Sequence, residues 1–390
     1  MFRIRPGSGP RPAPARGPSR RAVLRGATAA GALVAAGGAL GGCSGPDADA
    51  AARPVPGYYP TDYATLVDGS RRELKLVIYS QTSQTVWQPI FDAFADRYPW
   101  LTDVRATNLG NSAVYERYYS EAAIGTSPAD LLVSNGPGNW ADYATRGLAA
   151  DYVSPEKSRL PEFAELLPGV WAFSVDPVVI LYNRRTLDEA RRPRGLAHLG
   201  ELCEAEPARF RGKIGAYDPS NAFGYATNHG YTGSVPGGWE NMARVLPFAR
   251  AEHSSGTLVE KVVSGEYDAS INISGATAVS AAKRSGGLLG WTYCEEGTVL
   301  VPRAASIVST APHPNAARLF LDFLLSADGQ AAAAAGVLTP YRPDVEQSDV
   351  DSLQDVRRLL GADRVHIHPY DPVDEADQES YLHRWEQAMG

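Results

Sequence analysis

Residues 74–98, LKLVIYSQTSQTVWQPIFDAFADRY, place a short apolar run, a hydroxyl-rich loop and an amphipathic stretch in immediate succession. Leu74, Leu76, Val77, Ile78 and Tyr79 are almost continuous, the pattern of a strand covered on both faces, as in a parallel sheet. Trp87, Ile90, Phe91, Phe94 and Tyr98 recur at helical spacing and form one apolar stripe. Between them, Ser80, Gln81, Thr82, Ser83, Gln84 and Thr85 offer hydroxyls, amides and free backbone N–H groups where a helix begins, a geometry that receives polar or anionic groups. Ser83 or Thr85 equally serves as a helix cap.

The rhythm recurs. An extended piece at 104–107 runs into Asn108-Leu109-Gly110-Asn111-Ser112 and a helical stretch, and residues 130–134, DLLVS, run into Asn135-Gly136-Pro137-Gly138-Asn139 and a helix carrying Trp140 and Tyr143. In an open parallel sheet such loops gather at the carboxyl edge of the strands, where ligands bind. Residues 170–183, VWAFSVDPVVILYN, read as two extended pieces broken at Asp176-Pro177, a crossover into a second lobe. That lobe repeats the first. A strand at 213–217 ends in a loop with Ser220 and Asn221, and an alternating strand at 269–273, with Asn272, runs into Ser274, Gly275, Ala276 and Thr277. Residues 297–309 carry the chain back, Asn315 caps a helix with Leu319, Phe320 and Phe323 on its buried face, and Ser326 caps the next. The tail from Tyr341, with Tyr381 and Trp385 at i, i+4, is expected to wrap a lobe. The expected fold is α/β, with two Rossmann-like lobes joined by a two-strand hinge and a ligand cleft between them. Residues 73–178 and 292–330 form lobe 1; residues 179–291 and 331–390 form lobe 2 with the tail.

The first 42 residues hold seven arginines and no acid, so the 37 Lys and Arg of the chain leave 30 for the body against 44 acids. That excess of acid excludes nucleic acid as a partner, since phosphate binding rests on clustered positive charge. Ser19-Arg20-Arg21-Ala22-Val23-Leu24-Arg25 resembles a twin-arginine export signal. The weakly apolar run after it stops at Leu40-Gly41-Gly42-Cys43, which resembles a lipobox with Cys43 as the lipidated residue. The alternative, an uncleaved membrane span, falls short of the ~20 strongly apolar residues a bilayer prefers. Either way the body lies outside the cytoplasmic membrane. Residues 43–72, rich in Ala, Pro, Gly and Asp, read as a flexible tether.

No P-loop, HExxH helix, GxSxG elbow or calcium loop is present. His366 and His368 stand close together but suit a solvated strand better than a metal, and no catalytic residue, metal or cofactor is expected. Cys203 and Cys294 remain once Cys43 is lipidated. In an exported chain they form a disulfide or stay as two thiols.

The accumulated pattern resembles the extracellular solute-binding proteins of ABC importers, of the type 2 periplasmic-binding-protein branch that takes ferric iron, phosphonates and sugar phosphates. The resemblance rests on Ser127-Pro128-Ala129-Asp130-Leu131-Leu132, Leu181-Tyr182-Asn183, Ser264-Gly265-Glu266-Tyr267-Asp268, and Ala311-Pro312-His313-Pro314-Asn315 running into Phe320-Leu321-Asp322-Phe323. It implies two lobes closing over one solute, a permease partner in the cytoplasmic membrane and a monomeric receptor. Ferric-iron members use a first-loop histidine and a tyrosine pair in the second lobe; here Ser83, and Ser274 with Gly275, stand at those places. The expected ligand set is therefore neutral: Ser80, Gln81, Thr82, Ser83, Asn111, Ser112, Ser134, Asn135, Ser220, Asn221, Asn272, Ser274 and Thr277. Such donors suit phosphate, phosphonate or a sugar, and the resemblance keeps a ferric-iron or a sugar or polyol binder of the same family as the alternative. A second reading is an exported enzyme on this scaffold, with Asp218 and Glu266 as its carboxylate pair.

Overall fold

The computed structural model describes residues 54–345 and 350–390. The export signal, Cys43 and the first part of the expected tether lie outside them. Helix α1 (Tyr63–Glu73) comes first, followed by β1 (Lys75–Ser80), α2 (Gln84–Arg97), β2 (Asp103–Asn108), α3 (Asn111–Ala123), β3 (Leu131–Ser134) and α4 (Pro137–Thr145). A short β4 (Glu165–Leu167) leads into the long β5 (Val170–Asn183). The second lobe is then built from α5 (Leu196–Ala205), α6 (Pro207–Phe210), β6 (Ile214–Tyr217), α7 (Ala222–Ser234), α8 (Gly238–Val245), β7 (Ala249–Glu252), α9 (Ser255–Ser264), β8 (Ala269–Ser274), α10 (Gly275–Arg284) and β9 (Leu289–Thr292). Strand β10 (Thr298–Ile307) returns the chain to α11 (Pro314–Leu325) and α12 (Ala327–Ala335), and the tail adds α13 (Leu353–Leu360), β11 (Val365–Ile367) and α14 (Glu375–Met389).

The strands follow the order β2-β1-β3-β10-β5-β8-β6-β7, with β4 and β9 beside β5 and β11 beside β10. Two long strands cross between the lobes. The first half of β5, through Pro177, pairs antiparallel with β10, and from Val178 onward it pairs with β8 and β9. Strand β10 pairs with β11 near its start and with β3 at its end. Asp176-Pro177 therefore does not break the strand. Pro177 falls where β5 exchanges β10 for β8, so its missing N–H costs the ladder least there.

The first lobe buries an aromatic layer on each face of its sheet. On one side Phe94 meets Phe320 edge to face at 4.9 Å and Trp87 stacks on Phe91 at 5.2 Å; on the other, Tyr115, Trp140 and Tyr143 contact one another at 5.3–6.2 Å. Each such ring contributes about 1.5–3 kcal/mol through burial. The second lobe packs Leu181, Phe210, Met242, Leu258 and Tyr267 around β5, β6 and β8.

Three expectations are corrected, and one that was left open is resolved. Residues 63–72 are not tether but most of helix α1, because Tyr59, Tyr63 and Val67 at i, i+4 spacing form a stripe buried in the first lobe. Tyr63 donates to Asp322 at 2.7 Å and Tyr59 to Glu156 at 2.6 Å. Helix α11 is capped not by Asn315 but by Glu73, whose carboxylate accepts the backbone N–H groups of Asn315 and Ala316 at 3.2 and 2.7 Å. An acid at a helix start is favoured by the helix dipole. Residues 331–338 belong with the first lobe, since α12 packs on α2 and Ala333 and Leu338 join the Trp87 core. The crossing falls later, where Val175 donates its N–H to the Thr339 carbonyl at 3.0 Å and Tyr341 its hydroxyl to the Ala172 carbonyl at 2.5 Å. Beyond it Leu353, Val356, Tyr381 and Trp385 enter the second-lobe core. Finally, Cys203 and Cys294 form no disulfide: both are free and buried in the second lobe. Burial pushes the Cys203 thiol up to about 12 and raises Cys294 as well.

Candidate functional site

Between the lobes lies an open cleft of about 550 Å³. Its walls are helix starts. Residues 110–113 open α3, Asn221, Ala222 and Phe223 open α7, Ser254 and Ser255 open α9, and Ser274 with Thr277 opens α10; Gln81 and Asn135 come from the loops after β1 and β3. This convergence follows from the topology, because every parallel βα unit turns at the carboxyl edge of its strand. Arg303, on β10, forms the floor.

Three of these helix starts are already closed by side chains. Asn221 accepts from the Gly224 N–H at 2.9 Å, Ser254 from Thr257 at 3.1 Å and Ser274 from Thr277 at 3.4 Å. Helix α3 differs: it begins after Gly110, and no side chain caps it. Residues 110–113 line the cleft, so the positive end of the α3 dipole and its orphan N–H groups lie at the cleft wall.

The floor is a buried polar network. Arg303, 5% exposed, donates from Nη1 to the Thr82 hydroxyl at 2.9 Å and from Nη2 to Asp176 at 3.1 Å, while its Nε has no partner. Asp176 also accepts the Ser274 hydroxyl at 2.5 Å and the Ala276 N–H at 3.0 Å, which ties β5 to the start of α10. Thr82 donates on to Gln81, and Gln81 to Asn135, both at 2.8 Å. One chain of hydrogen bonds thus runs from α10 through the hinge strands to the first-lobe loops.

Of the expected ligand residues, Gln81, Asn111, Ser112, Asn135, Asn221, Ser274 and Thr277 line the cleft. Three stand behind it. Ser134 donates to Asn111 at 3.0 Å and orients it, Thr82 holds Arg303, and Ser80 accepts the Thr82 N–H and the Trp87 indole N–H at 2.9 and 3.1 Å, fixing the loop. Three lie outside the lining. Ser83 is exposed at the start of α2, Ser220 sits in a turn where its N–H donates to Asp218, and Asn272 is buried. Asn272 has φ 51°, at a register irregularity between β5 and β8, and its amide donates to Asn228 at 2.8 Å. Asn tolerates the left-handed region better than most residues, so its role is in the strand.

Sequence reasoning missed Arg303, Glu116, Tyr217, Phe223, His253, Ser254 and Ser255. Arg303 had a signal: one charge inside an apolar strand, where burial needs a purpose or a partner. Phe223 and Tyr217 meet edge to face at 5.5 Å and give the cleft an aromatic corner. Asp218 and Glu266 have separate partners, His253 at 3.3 Å and Lys261 at 3.0 Å. Among the described residues no group of three or more His, Cys, Asp or Glu side chains gathers at one point.

Two α/β lobes, two crossing strands and a polar cleft at their junction define a binding protein of the hinged two-lobe class. Residues 79–331 match the family described as bacterial extracellular solute-binding protein. The chain belongs to that family. Solved structures with the same fold include the substrate-binding protein of an ABC transporter from Agrobacterium tumefaciens, 20% identical with a TM-score of 0.71, covering 81% of this chain and 95% of that one. AfuA from Actinobacillus pleuropneumoniae, with exogenous fructose-6-phosphate bound, is 18% identical with a TM-score of 0.64, covering 81% and 98%. Iron-bound HitA from Pseudomonas aeruginosa is 21% identical with a TM-score of 0.60, covering 81% and 99%. No protein of curated function matches the chain.

Proposed function

We propose that the chain is the receptor of an ABC importer, anchored by a lipid on Cys43, and that its lobes close over a small hydroxylated solute bearing a phosphate or phosphonate group. The observation that carries this reading is Arg303, a buried guanidinium at the cleft floor whose Nε has no partner. In the same cleft, the uncapped start of α3 offers backbone donors for a second oxygen of the same anion. Gln81, Asn135, Asn221, Ser274, Thr277 and the Glu116 carboxylate suit the hydroxyls of a sugar-like body, and Phe223 its apolar face. Binding of fructose-6-phosphate by a structure of the same fold is consistent with this chemistry. Among the described residues no cluster of three or more His, Cys, Asp or Glu side chains stands ready for a metal ion, which does not favour ferric iron.

A thermal-shift screen of sugar phosphates, phosphonates, neutral sugars and ferric citrate tests the reading. A specific ligand raises the melting temperature by mass action, so at least one anionic member shifts it while the neutral sugars do not. A response to ferric iron or to neutral sugars alone removes the anionic solute.

A further inference from the structure

A second cavity, of about 520 Å³, lies in the second lobe between α7 and the tail that carries α14, and shares no lining residue with the cleft. Its apolar wall is aromatic. Tyr225 and His229 stack at 4.8 Å, and Tyr381 meets both rings edge to face at 5.5 and 5.1 Å. Across from them stand Asp371 and Asp377, exposed carboxylates without a hydrogen-bond partner, whereas Asp374 is committed to capping α14. The cation of the lining, Arg384, is laid over Trp239 at 3.8 Å. Burial lowers the affinity of His229 and His368 for protons, so both imidazoles are neutral near pH 7 and add no positive charge.

Tyr225 carries the independent observation. It is 5% exposed, its hydroxyl is buried with no hydrogen-bond partner, and the Asp377 carboxylate acts on it electrostatically. A buried polar group without a partner is a cost that folding avoids unless something else satisfies it. Aromatic faces, unpaired carboxylates and an unsatisfied phenol in one cavity are the complement of an ammonium or guanidinium group on a short apolar stem.

We infer that this tail cavity is a second binding site, for a small organic cation, separate from the solute cleft. Helix α7 touches both, with Asn221, its cap, in the cleft and Tyr225 and His229 in the cavity wall. Charge is supplied by Asp371 and Asp377, and the ring cluster receives the stem. Gly233 lines the same cavity, and a Cβ there meets nothing within 4 Å, so a larger side chain at this position fills the cavity without a backbone clash.

The test is calorimetric titration of the full chain with n-butylammonium chloride, and with n-butanol as the uncharged probe of equal length. The cation binds saturably at one site, and n-butanol does not. The variant D371N/D377N, changed only at exposed positions, weakens the cation by about tenfold or more with no more than a small drop in melting temperature from the acid lost in the first turn of α14. G233L abolishes binding, and R303Q in the cleft leaves it unchanged. No saturable binding, equal binding of n-butanol, or a cation affinity indifferent to both D371N/D377N and G233L overturns the inference; loss on R303Q returns the cation to the cleft.

Discussion

Arg303 and Asp176 meet at 3.1 Å on the two strands that cross between the lobes, and both side chains are almost fully buried. Asp176 is the junction of the molecule, holding at once the guanidinium, the Ser274 hydroxyl and the Ala276 amide. Replacing it with alanine strands a buried positive charge, a change that typically costs about 3–5 kcal/mol. Urea unfolding of Asp176→Ala should show a loss of that size, and a loss below about 1 kcal/mol contradicts the pair's structural role.

Arg303→Gln removes the charge but keeps a polar side chain on the floor. A charge-assisted hydrogen bond contributes about 1.5–3 kcal/mol, so the affinity for the anionic solute should fall about 10- to 100-fold. Calorimetric titration checks this, with circular dichroism to establish that the variant is folded. An unchanged affinity moves the anion elsewhere in the cleft.

Asp322 gives the first lobe a dependence on pH. It is 1% exposed, and burial pushes its carboxyl up to about 6 despite hydroxyl donors from Tyr63 and Tyr152 at 2.7 and 2.6 Å. The folded-state value lies above the unfolded one of about 3.9, so the folded chain holds this proton more tightly. Its contribution to stability is full below the unfolded value and is lost as pH rises through about 6. Asp322→Asn, which stays neutral, should therefore gain on the wild type between pH 4 and 7, by at most about 3 kcal/mol. Parallel urea melts at the two pH values read it; identical pH slopes would contradict it.

The two second-lobe thiols are buried and their proton loss is disfavoured. In a chain beginning after Cys43, a thiol-specific reagent should find neither in the folded state and both after denaturation without reductant. Recovery of the thiols only after reduction would reinstate the disulfide.

Much of this architecture was legible where the signal is local. The apolar run before Ser80 and the stripe from Trp87 to Phe94 mark a βα unit by period alone, and the loops at Asn111, Asn135, Asn221 and Ser274 follow from its repetition. What escaped depends on distance or on direction. Glu73 caps helix α11 through Asn315, 242 residues further along the chain, a separation no window of sequence contains. Helix α1 hid in a stretch whose composition suggested a tether, because three residues on one stripe outweighed the rest. Ser83 and Ser80 flank the same loop, yet one faces solvent and the other binds Trp87, a distinction set by where the strand ends. Arg303 was visible as a charge in an apolar strand, but its place in the cleft required knowing that β10 crosses between the lobes.

The most direct measurement is a crystal structure of the chain with the anionic compound that gives the largest thermal shift. The account predicts closed lobes, with the phosphate or phosphonate oxygens at hydrogen-bond distance from Arg303 and the first N–H groups of α3. A metal ion between the lobes, or a solute whose anionic group contacts neither Arg303 nor α3, would contradict it.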